Sequence, residues 1–111
     1  MSADISDERE AIAREKIKAL YGVSGGEYGP TLFVQHHLNQ IEAAYWLRIM
    51  GVEQPRAEQI LNALVLVDSW SSEGDNVANT LDFGLPGNVS NYLLSVRFSD
   101  DDQVIDVSME S

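Results

Sequence analysis

Thr80-Leu81-Asp82-Phe83-Gly84-Leu85, Tyr92-Leu93-Leu94-Ser95-Val96-Arg97-Phe98-Ser99 and Ile105-Asp106-Val107-Ser108-Met109 decide the fold. In the first, Leu81, Phe83 and Leu85 alternate with Thr80, Asp82 and Gly84. In the second, Tyr92, Leu94, Val96 and Phe98 alternate with Leu93, Ser95, Arg97 and Ser99. In the third, Ile105, Val107 and Met109 alternate with Asp106 and Ser108. A period of two places alternate residues on opposite faces of a sheet, so these runs predict a half-buried antiparallel meander. With Asp101-Asp102 as a two-residue turn, Phe98 would face Ile105, Val96 would face Val107, and Arg97 would oppose Asp106 on the wet face. That pair would hold register more than it adds stability, at about 0.2–1 kcal/mol.

Working back from the meander, Val65-Leu66-Val67 reads as a further strand, and Asp68 to Asn79 as a polar, acidic loop around Trp70. Pro55 suits the first helical position of a short amphipathic helix completed by Ala57, Ile60, Leu61 and Leu64. A helix from near residue 40 to Met50, closed by Gly51, would bury Ile41, Tyr45 and Ile49, with Trp46 and Met50 on its flank. Asn39 and Glu42 have the spacing of a capping box at its start. Thr31 to His37 reads as a strand with Leu32, Val34 and His36 on one face, although Val34, Leu38, Ile41, Tyr45 and Ile49 also keep helical spacing. Residues 5–20 form a surface helix with a thin stripe of Ile5, Ile12, Ile17 and Leu20. The fold class is therefore α+β: an N-terminal helix and two short helices on a mainly antiparallel four- to five-stranded sheet, as a single domain over residues 1–111.

The chain has 111 residues, 44% of them hydrophobic, which suffices for a core without staples. It has no cysteine, which excludes disulfides, thiolate metal sites and cysteine nucleophiles. The apolar run Ala63 to Val67 is far below the roughly 20 residues needed to span a bilayer, and no signal-like segment opens the chain. These features point to a cytoplasmic location with no membrane contact.

The formal net charge is −11, and it is lopsided. From Ala57 onward Glu58, Asp68, Glu73, Asp75, Asp82, Asp100, Asp101, Asp102, Asp106 and Glu110 are opposed only by Arg97. Such a field repels nucleic acid and attracts cationic partners, with salt-sensitive rates. It also serves solubility alone in many proteins. The candidate partner-binding set is Asp68, Trp70, Glu73, Asp75, Asp82 and the hairpin acids Asp100, Asp101, Asp102 and Asp106. Trp70 either stacks on an Arg or Lys of a partner or closes the edge of the core.

Other chemistry finds less support. Gly22, Gly25, Gly26 and Gly29 before Pro30 could cradle phosphate, but no Gly-Lys-Ser/Thr follows and no helix is expected directly after them. His36 and His37, the only histidines, are the weak metal or acid–base candidates. Adjacent side chains diverge, with His36 expected in the packing and His37 at the surface. Asp100-Asp101-Asp102 lacks the spacing and glycine of a calcium loop. Ser71 and Ser72 lack a nucleophile elbow. No cofactor is called for.

Tyr28-Gly29-Pro30-Thr31-Leu32-Phe33-Val34-Gln35-His36-His37-Leu38, Ala44-Tyr45-Trp46, Leu81-Asp82-Phe83-Gly84-Leu85-Pro86-Gly87 and Ile105-Asp106-Val107-Ser108-Met109-Glu110-Ser111 together resemble a family of small bacterial proteins whose domain has no assigned function. The resemblance covers nearly all of residues 26–111. It implies a cytoplasmic bacterial protein and supplies no activity or catalytic residue. In size and charge the chain is also similar to acidic immunity proteins that plug basic clefts of toxins. The leading expectation is a non-catalytic module binding a basic protein surface such as a toxin's. The alternatives are a small-ligand or metal-dependent enzyme using His36 or His37, and a housekeeping domain that forms a homodimer through an edge strand.

Overall fold

The computed structural model describes residues 5–70, 79–99 and 101–110. Helices α1 (Ile5–Leu20), α2 (Pro30–Gln40), α3 (Ala43–Met50) and α4 (Ala57–Ala63) precede strands β1 (Val65–Trp70), β2 (Thr80–Gly84), β3 (Leu93–Phe98) and β4 (Val104–Glu110). A short 3₁₀ turn, Pro86–Asn88, lies between β2 and β3. The strands form one antiparallel sheet in the order β1-β2-β3-β4. The expected α+β meander is therefore present, and helices cover one face of it.

The segment expected as a strand over residues 31–37 is instead α2. Pro30 occupies its first turn, where a fixed φ favours a helix and a missing N–H costs nothing. Pro30, Phe33, Val34 and His37 are buried, which is helical spacing, while Leu32 is exposed. The expected Asn39/Glu42 capping box does not form, because Asn39 lies inside α2 and α3 starts after Glu42 without a side-chain cap. A helix does open directly after the glycine loop. Even so, Pro30 has no N–H and that of Thr31 bonds to the Gly26 carbonyl at 3.2 Å, so its first donors do not face an anion.

Three further expectations shift. In α3, Tyr45 and Trp46 are buried and Ile49 is exposed, because the helix turns its aromatic pair inward. In α4 the first helical residue is Ala57, with the Gln59 side chain accepting the Arg56 backbone N–H at 2.8 Å, so Pro55 lies just outside. In α1 the inward stripe is Arg9, Ala13 and Ile17, with Ile12 exposed. Arg9 and Arg14 set that orientation by stacking on Phe98 and Phe83, at 5.3 and 5.0 Å from the ring centres.

The core sits between the helices and alternate residues of the sheet: Leu81, Phe83, Leu94, Val96, Phe98 and Val107, against Phe33, Trp46 and Ile60. Each large apolar side chain buried there stabilises by about 1.5–3 kcal/mol relative to exposure. The Trp46 indole N–H is buried without an acceptor, a local cost of about 1–3 kcal/mol. Where the loop before α2 crosses β4, a Cβ on Gly29 would lie 2.7 Å from the Val107 carbonyl oxygen. Only glycine allows that approach, and the Met109 N–H then bonds to the Tyr28 carbonyl at 2.9 Å.

The register puts Val96 opposite Val107 and Arg97 opposite Asp106, as the alternation predicts. Phe98, however, pairs with Val104 rather than Ile105. The turn is longer than two residues: Ser99 donates its N–H to Gln103 O, and Asp102 donates to Ser99 O with φ of 64°. The extra residue appears as a bulge that leaves Ile105 exposed.

Candidate functional site

Because β2, β3 and β4 alternate, the residues between the core positions all point to the side of the sheet opposite the helix layer. One row across the sheet is Trp70, Thr80, Arg97 and Asp106, and the next is Asp68, Asp82, Ser95 and Ser108. Gly84, Leu93 and Glu110 continue the lattice. Trp70, Asp82, Leu93, Ser95, Arg97, Asp106, Ser108 and Glu110 all line one open cleft of about 490 Å³ on this face.

Asp82 is its centre, 8% exposed although it carries a carboxylate. Burial of a charge requires partners. The Trp70 indole N–H donates to Asp82 Oδ2 at 2.9 Å, and the Ser95 hydroxyl donates to Oδ1 at 2.6 Å. These bonds fix the carboxylate, and they also hold the Trp70 ring, 42% exposed, at the rim. Asp68 lies directly opposite Asp82 across β1 and β2. Like charges at one register position of neighbouring strands repel, and Asp68 turns its Oδ1 back to accept the Ser69 N–H at 2.9 Å. Arg97 faces Asp106, but among the described residues it makes no ion pair within 4.0 Å, so the acids of this face are not neutralised by contact.

Of the expected partner-binding residues, the structure brings Asp68, Trp70, Asp82 and Asp106 onto this one face. Trp70 belongs to a strand, not to the loop expected from residue 68, because β1 runs three residues beyond Val67. Asp101 and Asp102 are elsewhere, at the hairpin tip. Asp101 accepts a hydrogen bond from the Ser99 hydroxyl, and Asp102 pairs with Arg9 at 2.8 Å. Glu73, Asp75 and Asp100 lie outside the described residues. Ser95 and Glu110 were missed as site residues, although the alternation that places Arg97 and Asp106 outward places them there too.

The histidines exchange their expected places. His37, on the inward face of α2, is fully buried, and His36 is half-buried with its ring edge against Tyr92 at 4.5 Å. His37 Nδ1 lies 2.7 Å from the Phe33 carbonyl, which can only accept, so Nδ1 carries the proton. Nε2 then accepts from the Ser90 hydroxyl at 2.7 Å, and Ser90 Oγ accepts the Tyr92 N–H at 3.0 Å. Burial pushes the imidazole below its usual 6.5, partly opposed by the bond to Phe33 and reinforced by nearby His36. Both ring nitrogens are thus used within the protein, and the imidazole has no exposed surface. The bond to Ser90 ties α2 to the segment between β2 and β3. Tyr45 reinforces the tie by donating its hydroxyl to the Pro86 carbonyl at 2.7 Å.

No family model, curated protein or solved structure matches the chain. Geometry alone therefore carries the functional reading. Among the described residues no group of three or more His, Asp or Glu side chains is placed to hold a metal ion, and no helix is long and apolar enough to cross a membrane.

Proposed function

We propose that the face of the sheet turned away from the four described helices is a docking surface for a basic protein, with inhibition of a cationic toxin as the setting that best suits it. The observation that carries this reading is the opposition of Asp68 and Asp82, with Asp106 and Glu110 on the same face. Like charges placed in register across strands cost stability, and a cationic partner would relieve that cost. A standard interface needs about 800 Å² on each side, a modest part of the 6738 Å² of this molecule's surface.

Trp70 adds a flat aromatic surface beside a fixed carboxylate, an arrangement suited to an Arg or Lys side chain. The interaction should weaken as salt shortens the screening length. The test is capture from the native host at low and high salt by the unaltered protein and by a variant with Asp68→Lys and Asp106→Lys. A basic protein retained at low salt, released at high salt and lost with the variant supports the proposal. Equal capture by both proteins would refute it.

A further inference from the structure

Resting on the docking reading above, we infer that the partner presents a basic amphipathic helix to this face. The face is not uniformly acidic. Along its β1 margin Val65, Val67 and Trp70 are exposed, Val67 by 50%, and Leu93 on β3 joins the cleft. Gly84 keeps this margin low, since a Cβ there would lie 2.9 Å from Leu93 and 3.2 Å from Val67. Apolar side chains thus lie beside the carboxylates of Asp82, Asp106 and Glu110, matching a ligand with an apolar stripe and a cationic flank.

Dimensions favour a helix. Four strands about 4.8 Å apart span roughly 14 Å between the outer two, and a helix with its side chains is about 10–12 Å wide. One helix laid on the sheet would cover it and supply a layer that none of the described helices supplies on this face.

The sheet edges are poor templates for an added strand. The register slip between Leu66 and Asp68 interrupts β1, and the loop at Tyr28 and Gly29 covers part of β4. A second copy of this chain is a poor occupant as well, because each copy carries −11 and would set the same acids against each other.

Three synthetic peptides test the inference: a Leu/Lys sequence of helical period, the same composition with strand-like alternation, and oligolysine. Binding is read from Trp70 fluorescence, and helix gain from circular dichroism. The helical-period peptide should bind about ten-fold tighter than the alternating one and gain helix on binding. Val67→Ser, at an exposed site that leaves the fold intact, should weaken the helical-period peptide and leave oligolysine unchanged. Asp106→Lys should weaken all three.

Equal or tighter binding of the alternating peptide, or indifference of the helical one to Val67→Ser, would overturn the helix inference and leave the basic-partner reading standing. Absence of binding by all three peptides to the folded protein would overturn both.

Discussion

The two faces of the sheet are made from the same strands by alternate residues, yet they differ in polarity. Toward the helices lie Leu81, Phe83, Leu94, Val96, Phe98 and Val107, all buried and apolar. Away from them lie Asp82, Ser95, Arg97, Asp106 and Ser108, with Trp70 at the margin. A period of two thus places the apolar core positions on one side and the polar positions on the other. A change confined to one set leaves the other largely intact, and substitutions on each side can break or sharpen that contrast.

The largest effect should come from Phe83→Ala on the covered face, where the ring is fully buried and carries Arg14 above it. A loss of about 3–5 kcal/mol is expected in urea unfolding. A loss below about 1 kcal/mol would mean that this face is not the core.

Asp82→Ala comes next, because it leaves the Trp70 and Ser95 donors without acceptors. Its cost should be about 1–3 kcal/mol, with a shift in Trp70 emission as the ring is freed. If emission and stability both stay constant, Asp82 does not organise the open face.

Lowering the pH tests the covered side. His37 has a folded-state pKa below its unfolded value, so the unfolded chain binds the proton more readily. Its contribution is fully present above pH 6.5 and is lost as the pH falls from there through the folded-state pKa. The urea midpoint should therefore drop through that window, and His37→Gln should flatten the drop.

The smallest effect on stability belongs to Arg97→Ser, within about 0.5 kcal/mol for an exposed side chain with no ion pair among the described residues. Its effect should appear instead as faster association with a basic partner, measured by stopped flow, because a repelling cation is removed.

The meander was legible because Leu81, Phe83, Leu94, Val96 and Val107 obey a strict alternation, and Arg97 opposite Asp106 followed from it. Ile105 was misplaced, because the left-handed turn at Asp102 adds a residue that alternation cannot register. The segment at α2 misled for another reason. Phe33, Val34 and His37 are one helical face, but read in isolation Leu32, Val34 and His36 alternate equally well, and only packing against the sheet decides between them. That choice also exchanged the fates of the histidines, since a rotation of about 100° per residue turns one inward and its neighbour outward. At the site, the acidic excess was visible as a count. Its division into a face around Asp82 and a tip at which Asp102 is paired was not, because Arg9, which pairs with Asp102, is remote in sequence.

The bond from Arg9 to Asp102 joins residues 93 positions apart. During synthesis at about 5–20 residues per second, α1 leaves the ribosome roughly 5–20 s before the hairpin that receives it. Until then α1 can pack only on α2 and α4, the helices made soon after it, and a short isolated helix is only marginally stable in water. Closure of this clasp is consequently a late event in the birth of the molecule, and it fastens a helix bundle that can assemble before it.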